Sequence, residues 1–251
     1  MRLAFSMFSD YHIAQISCHG QSERALGSAH SHRLEPPATG GPLDGHPATS
    51  EDSEEAYTAM ESSVEIRWHG RGGQGAKTAA LLLGESAIHD DKYVQAFPEY
   101  GPERMGAPVQ SFNRISDEPI VLHCSVTNPR VVVVLDASLM EAVDITAGLD
   151  EDGVLLINTP ETPEAIRARL NWRGRKLFTV DASRIAQETI RRNVPNTPMM
   201  GALVKATGIL QLESMLEDTR HKLEKKFKNR PEIVEGNIQA IRRAYEEVQV
   251  Q

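Results

Sequence analysis

Between residues 64 and 88 an alternating apolar and polar segment leads through a cluster of glycines into an Ala/Leu-rich stretch, and this succession limits the fold more than any other feature. Val64-Glu65-Ile66-Arg67-Trp68-His69 has the two-residue period of a short strand, and Ala76–Ile88 has the composition of a helix. The linker, Gly70-Arg71-Gly72-Gly73-Gln74-Gly75, turns one into the other. Further strands are predicted at Tyr93–Phe97, Val131–Leu135, Val154–Ile157 and Leu177–Val180. The runs at 131 and 154 are apolar without alternation, as in strands buried on both faces of a parallel sheet. Helices are predicted at Ser138–Thr146, at Thr162–Leu170 behind a Thr-Pro-Glu start signal, and at Ala182–Arg192. This alternation predicts an α/β domain with a parallel, doubly wound sheet and helices on both faces.

The C-terminal fifth is read as helical, with segments at Gly201–Leu216, Ser214–Lys228 and from Pro231 onward. In the last of these Val234, Ile238, Ile241, Tyr245 and Val248 form one apolar stripe, expected to pack back onto the same domain. The chain carries 27 Lys+Arg against 35 Asp+Glu, net −8, which argues against a basic nucleic-acid footprint. Its two cysteines, Cys18 and Cys124, make neither a disulfide framework nor a Cys-x-x-Cys ligand run. No apolar run approaches the roughly eighteen residues of a spanning helix. The expectation is a soluble, cytoplasmic protein without a nucleic-acid or membrane partner.

The glycine segment satisfies G-x-G-x-x-G between a strand and a helix, the context of a dinucleotide-binding turn. Glycines allow close approach to the backbone, and a helix N-terminus offers unpaired N–H groups to an anion. Arg71 and Gln74 add donors. Two readings stand at this stage: an anion cradle, or a tight turn that only lets strand and helix pack. The segment Tyr93–Phe97 supplies no acidic residue to hold a ribose, which weakens a nicotinamide reading, and the lysine at 77 is misplaced for a Walker A loop. His69 is read as structural rather than as an acid/base group, and Cys124, in a strand-like segment with Leu122, as buried and inert. Asp136 and Asp181 each follow a strand and are read as helix N-caps.

A second motif, Phe97-Pro98-Glu99-Tyr100-Gly101-Pro102-Glu103-Arg104-Met105-Gly106-Ala107-Pro108, has the prolines and glycines of a rigid loop between strands. A third, Pro195-Asn196-Thr197-Pro198-Met199-Met200-Gly201-Ala202, approaches a helix. In this order and spacing the three motifs resemble the gamma subunits of the 2-oxoacid:ferredoxin oxidoreductase family, and within it the pyruvate or branched-chain type. The resemblance runs from about Val64 to the C-terminus, so the domain is placed at residues 61–251.

The resemblance implies a Rossmann-like fold and a non-redox subunit of a complex that oxidatively decarboxylates a 2-oxoacid with coenzyme A, yielding an acyl-CoA, carbon dioxide and reduced ferredoxin. It implies alpha, beta and ferredoxin-like delta partner chains, which hold thiamine diphosphate with magnesium and the [4Fe-4S] clusters, none of them in this chain. Gly70, Arg71, Gly72, Gly73, Gln74 and Gly75 would face coenzyme A or the catalytic core, and Glu103, Arg104, Gly106 and Asn196 an interface. No catalytic or metal-binding residue is assigned. A branched-chain 2-oxoacid, 2-oxoglutarate or indolepyruvate substrate is the alternative within the family, and a free-standing NAD(P)-binding enzyme the alternative outside it.

Residues 1–60 hold three Lys/Arg, eight Asp/Glu and five of the nine histidines, with no helical or strand period. They are read as a disordered extension or as the product of a misassigned start, with Met60 as the natural one. Mass spectrometry of protein from its own host should then find no peptide between Gln21 and Arg33; recovering one would establish the longer chain.

Overall fold

In a computed structural model, which describes residues 63–99, 106–122 and 124–251, β1 (Val64–Arg71) is hydrogen-bonded along both edges inside a seven-stranded sheet. The order is β2-β3-β1-β4-β5-β6-β7, with β2 Tyr93–Pro98, β3 Pro108–Ser116, β4 Val131–Val134, β5 Val154–Asn158, β6 Lys176–Val180 and β7 Gln249–Val250. β1, β4, β5 and β6 are parallel neighbours, the expected doubly wound core. Two strands run the other way: β3, between β1 and β2, and the short edge strand β7. The sheet is therefore mixed, because the motif read as one loop from Phe97 begins in β2 and ends in β3.

Six helices are described: α1 Ala76–His89, α2 Pro163–Leu170, α3 Ala182–Ile190, α4 Asn196–Thr207, α5 Leu212–Lys226 and α6 Pro231–Glu247. The apolar run of β4 divides between two cores by strand alternation. Val131 and Val133 face α1, α4, α5 and α6, while Val132 and Val134 face Ile166 of α2 and the segment containing Leu139 and Ile145. The stripe on α6 turns inward as expected, with Val234, Ile238 and Ile241 buried.

Three expectations are corrected. The helix expected over 138–146 is a short 3-10 helix, Ala137–Glu141. Asp144 binds the backbone N–H and the hydroxyl of Thr146, and Arg67 takes the carbonyls of Ile145 and Ala147, so these groups bond outside a helix. The helix expected over 201–216 breaks at Gly208, whose φ of 65° ends α4 before α5 begins. Cys124 lies in no strand: it is half-buried in the loop after β3, within 3.8 Å of the Arg114 guanidinium.

The polar side of β1 is not a solvent face. Arg67, His69 and Arg114 are each less than 7% exposed. Arg114 donates to Glu65 at 2.5 Å and to Gln95 at 3.1 Å, with its guanidinium 5.8 Å from the Phe97 ring centre. Arg67 donates to His69 Nε2 at 2.9 Å, which places the proton of a neutral imidazole on Nδ1. Burial first, then the Arg67 charge, lower the His69 pKa from 6.5 to about 4. His69 is thus a neutral acceptor fixing a buried arginine, as the structural reading expected.

Two outcomes test this packing. A Cβ on Gly201 of α4 would lie 2.0 Å from the Ile241 carbonyl oxygen of α6, so Gly201→Ala should destabilise the fold by about 1–3 kcal/mol in denaturant unfolding. For His69 the unfolded chain binds the proton more tightly, so stability should fall as pH drops from 6.5 to about 4 and level off above neutrality. Denaturation against pH should show that slope in the native protein and a weaker one in His69→Gln; identical slopes would refute the assignment.

Candidate functional site

The side on which strands are added to the sheet switches at β1: the hairpin β2-β3 lies on one side of it and β4, β5 and β6 follow on the other. The crevice beyond the C-terminal ends of β1 and β4 is therefore the switch point at which open α/β sheets receive ligands. Residues 70–75 and Asp136 meet there. The Leu135 N–H donates to the His69 carbonyl at 2.8 Å, carrying the ladder to the edge of the loop.

Most polar side chains of the loop turn inward and brace it. Gln74 accepts from the Arg71 N–H at 2.7 Å and donates to Asp136 at 2.7 Å. Arg71 reaches Ser138 Oγ at 2.8 Å, the Gly106 carbonyl at 3.1 Å and Asp136 at 3.3 Å. The Gly72 N–H donates to the Ala107 carbonyl and the Gly106 N–H to the Gly72 carbonyl, so the start of β3 is laced to the loop. Asp136 accepts from the N–H and the hydroxyl of Ser138, confirming the cap. Burial works to raise its carboxyl, but the bonds from Ser138 and Gln74 and the Arg71 charge outweigh that and hold it below the ordinary carboxylate range. Asp181 likewise caps α3 through the Arg184 N–H.

The braced loop leaves backbone donors for a ligand. α1 begins at Ala76 with no side-chain cap, so its first-turn N–H groups point into the crevice as helix geometry requires. α4 also begins without a side-chain cap, and its first residue, Asn196, is 8% exposed. A Cβ on Gly75, where φ is 85°, would lie 2.7 Å from Asn196 Nδ2. Two uncapped helix starts thus converge at Gly75, and the Asn196 side chain makes no hydrogen bond to another described residue. Gly73, at φ 98°, has nothing within 4 Å of where its Cβ would be, so the tip of the loop is open.

Sequence reasoning joined Gly70, Arg71, Gly72, Gly73, Gln74 and Gly75, and the structure adds Asp136, Ser138, Gly106 and Asn196 to them. Gly106 sits against Gly72, while Asn196 lies buried beneath Gly75. Glu103 and Arg104 fall outside the described residues, as does the segment 1–60. Ser138 was missed as a site residue, although Asp-x-Ser at the end of a buried strand signals such a brace. The nicotinamide reading loses its geometric basis. A ribose-holding carboxylate belongs on a parallel strand beside β1, and that place is taken by antiparallel β3, which sets Val109 and Pro108 opposite Gly70 and Arg71. Among the described residues no three His, Cys, Asp or Glu side chains gather to hold a metal, and no helix is long and apolar enough to cross a membrane.

Comparison with known proteins follows these features closely. Residues 65–247 match the model of the family described as pyruvate ferredoxin/flavodoxin oxidoreductase. The chain is 51% identical over 184 residues to the pyruvate synthase subunit PorC of Thermotoga maritima, covering 73% of this chain and 94% of the relative. It is 47% identical over 190 residues to the common gamma subunit of pyruvate/ketoisovalerate oxidoreductases of Pyrococcus abyssi, covering 74% and 98%. The crystal structure of the pyruvate oxidoreductase subunit PORC of Thermotoga maritima superposes with a TM-score of 0.66 at 49% identity, covering 76% of this chain and 99% of that one. The chain, built around a braced glycine loop at the switch point of a mixed α/β sheet, belongs to the pyruvate ferredoxin/flavodoxin oxidoreductase family.

Proposed function

We propose that this chain is the gamma subunit of a pyruvate:ferredoxin oxidoreductase, in which pyruvate, coenzyme A and oxidised ferredoxin give acetyl-CoA, carbon dioxide and reduced ferredoxin. The observation that carries the proposal is the 51% identity to a pyruvate synthase subunit over 94% of that subunit's length, with the braced loop lying inside the matched region. The described residues of this chain do not fit thiamine diphosphate with magnesium or an iron–sulfur cluster. They gather no acidic or histidine ligand set, and Cys124 lies beside an arginine. Those groups belong to the alpha, beta and delta chains of the proposal, and no chemical step is assigned to a side chain here. A cytoplasmic location accompanies it.

In this role the crevice receives a negatively charged group, on the coenzyme A path or at the face of the catalytic core. The backbone N–H groups at the start of α1 would donate to it, with Asn196 as a neutral donor from below and Arg71 as the charge alongside. The ionised Asp136 would hold Arg71 and Gln74 in place rather than meet the anion. Gly106 and the flanking loop that carries Glu103 and Arg104 would face a partner subunit. The Pyrococcus abyssi relative, named as common to two oxidoreductases, favours a second reading in which the same subunit serves a branched-chain 2-oxoacid complex, so that substrate choice resides in other chains.

Anaerobic affinity purification from the host should bring down thiamine-binding and ferredoxin-like chains, with pyruvate- and CoA-dependent viologen reduction in the eluate. A chain that purifies alone and inactive would refute the proposal. In the assembled complex, Arg71→Ala should raise the KM for coenzyme A roughly tenfold with a smaller change in kcat, the loss expected of one charge-assisted contact. An unchanged KM would remove the crevice from the coenzyme A path.

A further inference from the structure

α5 runs antiparallel to α1. Ser214 bonds Asp90 beyond the end of α1, Asp218 bonds His89, and Lys222 pairs with Glu85, so that as the contacts advance one turn at a time along α5 they move back along α1 from residue 90 to 89 to 85. The C-terminal end of α5 is therefore directed toward the end of the molecule that carries the glycine loop. In a chain of net −8, the stretch 220–230 holds six Lys/Arg and one acidic residue. Three of the six are neutralised, Arg220 by Glu235, Lys222 by Glu85 and Arg230 by Glu232. Lys225, Lys226 and Lys228 are exposed and pair with no carboxylate among the described residues; Lys226 only overlies the Phe227 ring. The Lys222 ammonium, lowered first by burial, is lowered further by Lys226 and Lys225, so the cations crowd one another.

A helix C-terminus favours cations in its last turn, but that preference does not require three unpaired lysines continuing past the helix end. The patch is exposed and built of lysine. Lysine is depleted from the centres of permanent interfaces, whereas charged, low-area contacts suit partners that bind and leave and whose encounter is steered by opposite charge. The proposed reaction ends with electrons passing to a separate carrier protein that must arrive and depart in each turnover. We propose that Lys225, Lys226 and Lys228, at the basic end of α5, form a steering surface for an acidic electron-carrier protein. The proposal rests on the function given above. The patch acts on encounter by raising the local concentration of the carrier, and electron transfer itself belongs to the cofactors of other subunits.

The test uses the assembled complex with its own host's ferredoxin as carrier, comparing the native chain with K225E/K226E/K228E. At low ionic strength kcat/KM for the ferredoxin should fall roughly tenfold or more, and the difference should close at about 0.5 M salt, where the screening length is only a few ångströms. Pyruvate-dependent reduction of methyl viologen should stay within about twofold, because a small acceptor needs no docking face. K225Q/K226Q/K228Q, which removes charge without reversing it, should give an intermediate loss and guards against a folding defect. Unchanged ferredoxin kinetics in both variants, or equal losses with ferredoxin and viologen, would overturn the steering surface. If the native complex fails to reduce viologen with pyruvate and coenzyme A, the proposed function itself fails and the steering surface falls with it.

Discussion

The hydrogen-bonding of β1 along both edges, antiparallel to β3 and parallel to β4, is the constraint on which the remaining architecture depends. A strand paired on both sides cannot slide without breaking two ladders, so the point at which it leaves the sheet is set to a single residue. That point is the glycine loop. On one side Gly72 exchanges backbone bonds with Gly106 and Ala107 just ahead of β3, and on the other the Leu135 N–H closes onto His69. Arg71, Gln74, Asp136 and Ser138 then tie the loop to the end of β4 through side chains. The consequence is a preorganised turn whose polar side chains are largely spent on holding shape and whose backbone dipoles at the start of α1 are left without side-chain caps.

The same pairing explains the buried charge. With β3 beside β1, the polar residues on one face of the two strands are brought together beneath the segments that follow β3 and β4. Arg114 and Arg67 are held there by Glu65, Gln95, His69 and two backbone carbonyls rather than by water. Removing one partner of a buried charge is costly, which makes this layer a device for fixing register more than a source of net stability. The neutral His69 fits that role, because a protonated ring would set a second cation against Arg67.

Charge is also segregated over the surface. The crevice is of mixed sign, with an ionised Asp136 beneath Arg71, whereas the end of α5 is predominantly basic in an acidic chain. A small anion at the crevice would be held by directed bonds within a short range, while the lysines would act through a field that decays over roughly a Debye length. In the proposed roles, local recognition and long-range encounter would be divided between two parts of the molecule, and the chain's contribution would be positioning and electrostatics.

Much of the fold was legible because its signals are local. The apolar runs of β4 and β5, the glycine turn into α1, the N-caps Asp136, Thr162 and Asp181 and the stripe on α6 all follow from neighbours within a few residues. The sequence by itself thus determined an α/β chain with a glycine turn at residues 70–75 between its first strand and first helix. The direction of β3, the unwinding of the expected 138–146 helix and the burial of Arg67 and Arg114 depend on partners distant in the chain, which no local period reports. The placing of Asn196 under Gly75 was decided in the same way: only after α4 packs against α1 does a residue from a separate motif become part of the crevice. Tertiary structure chose these features because a polar side chain is buried only where the folded chain brings it a partner, and that partner is not written beside it.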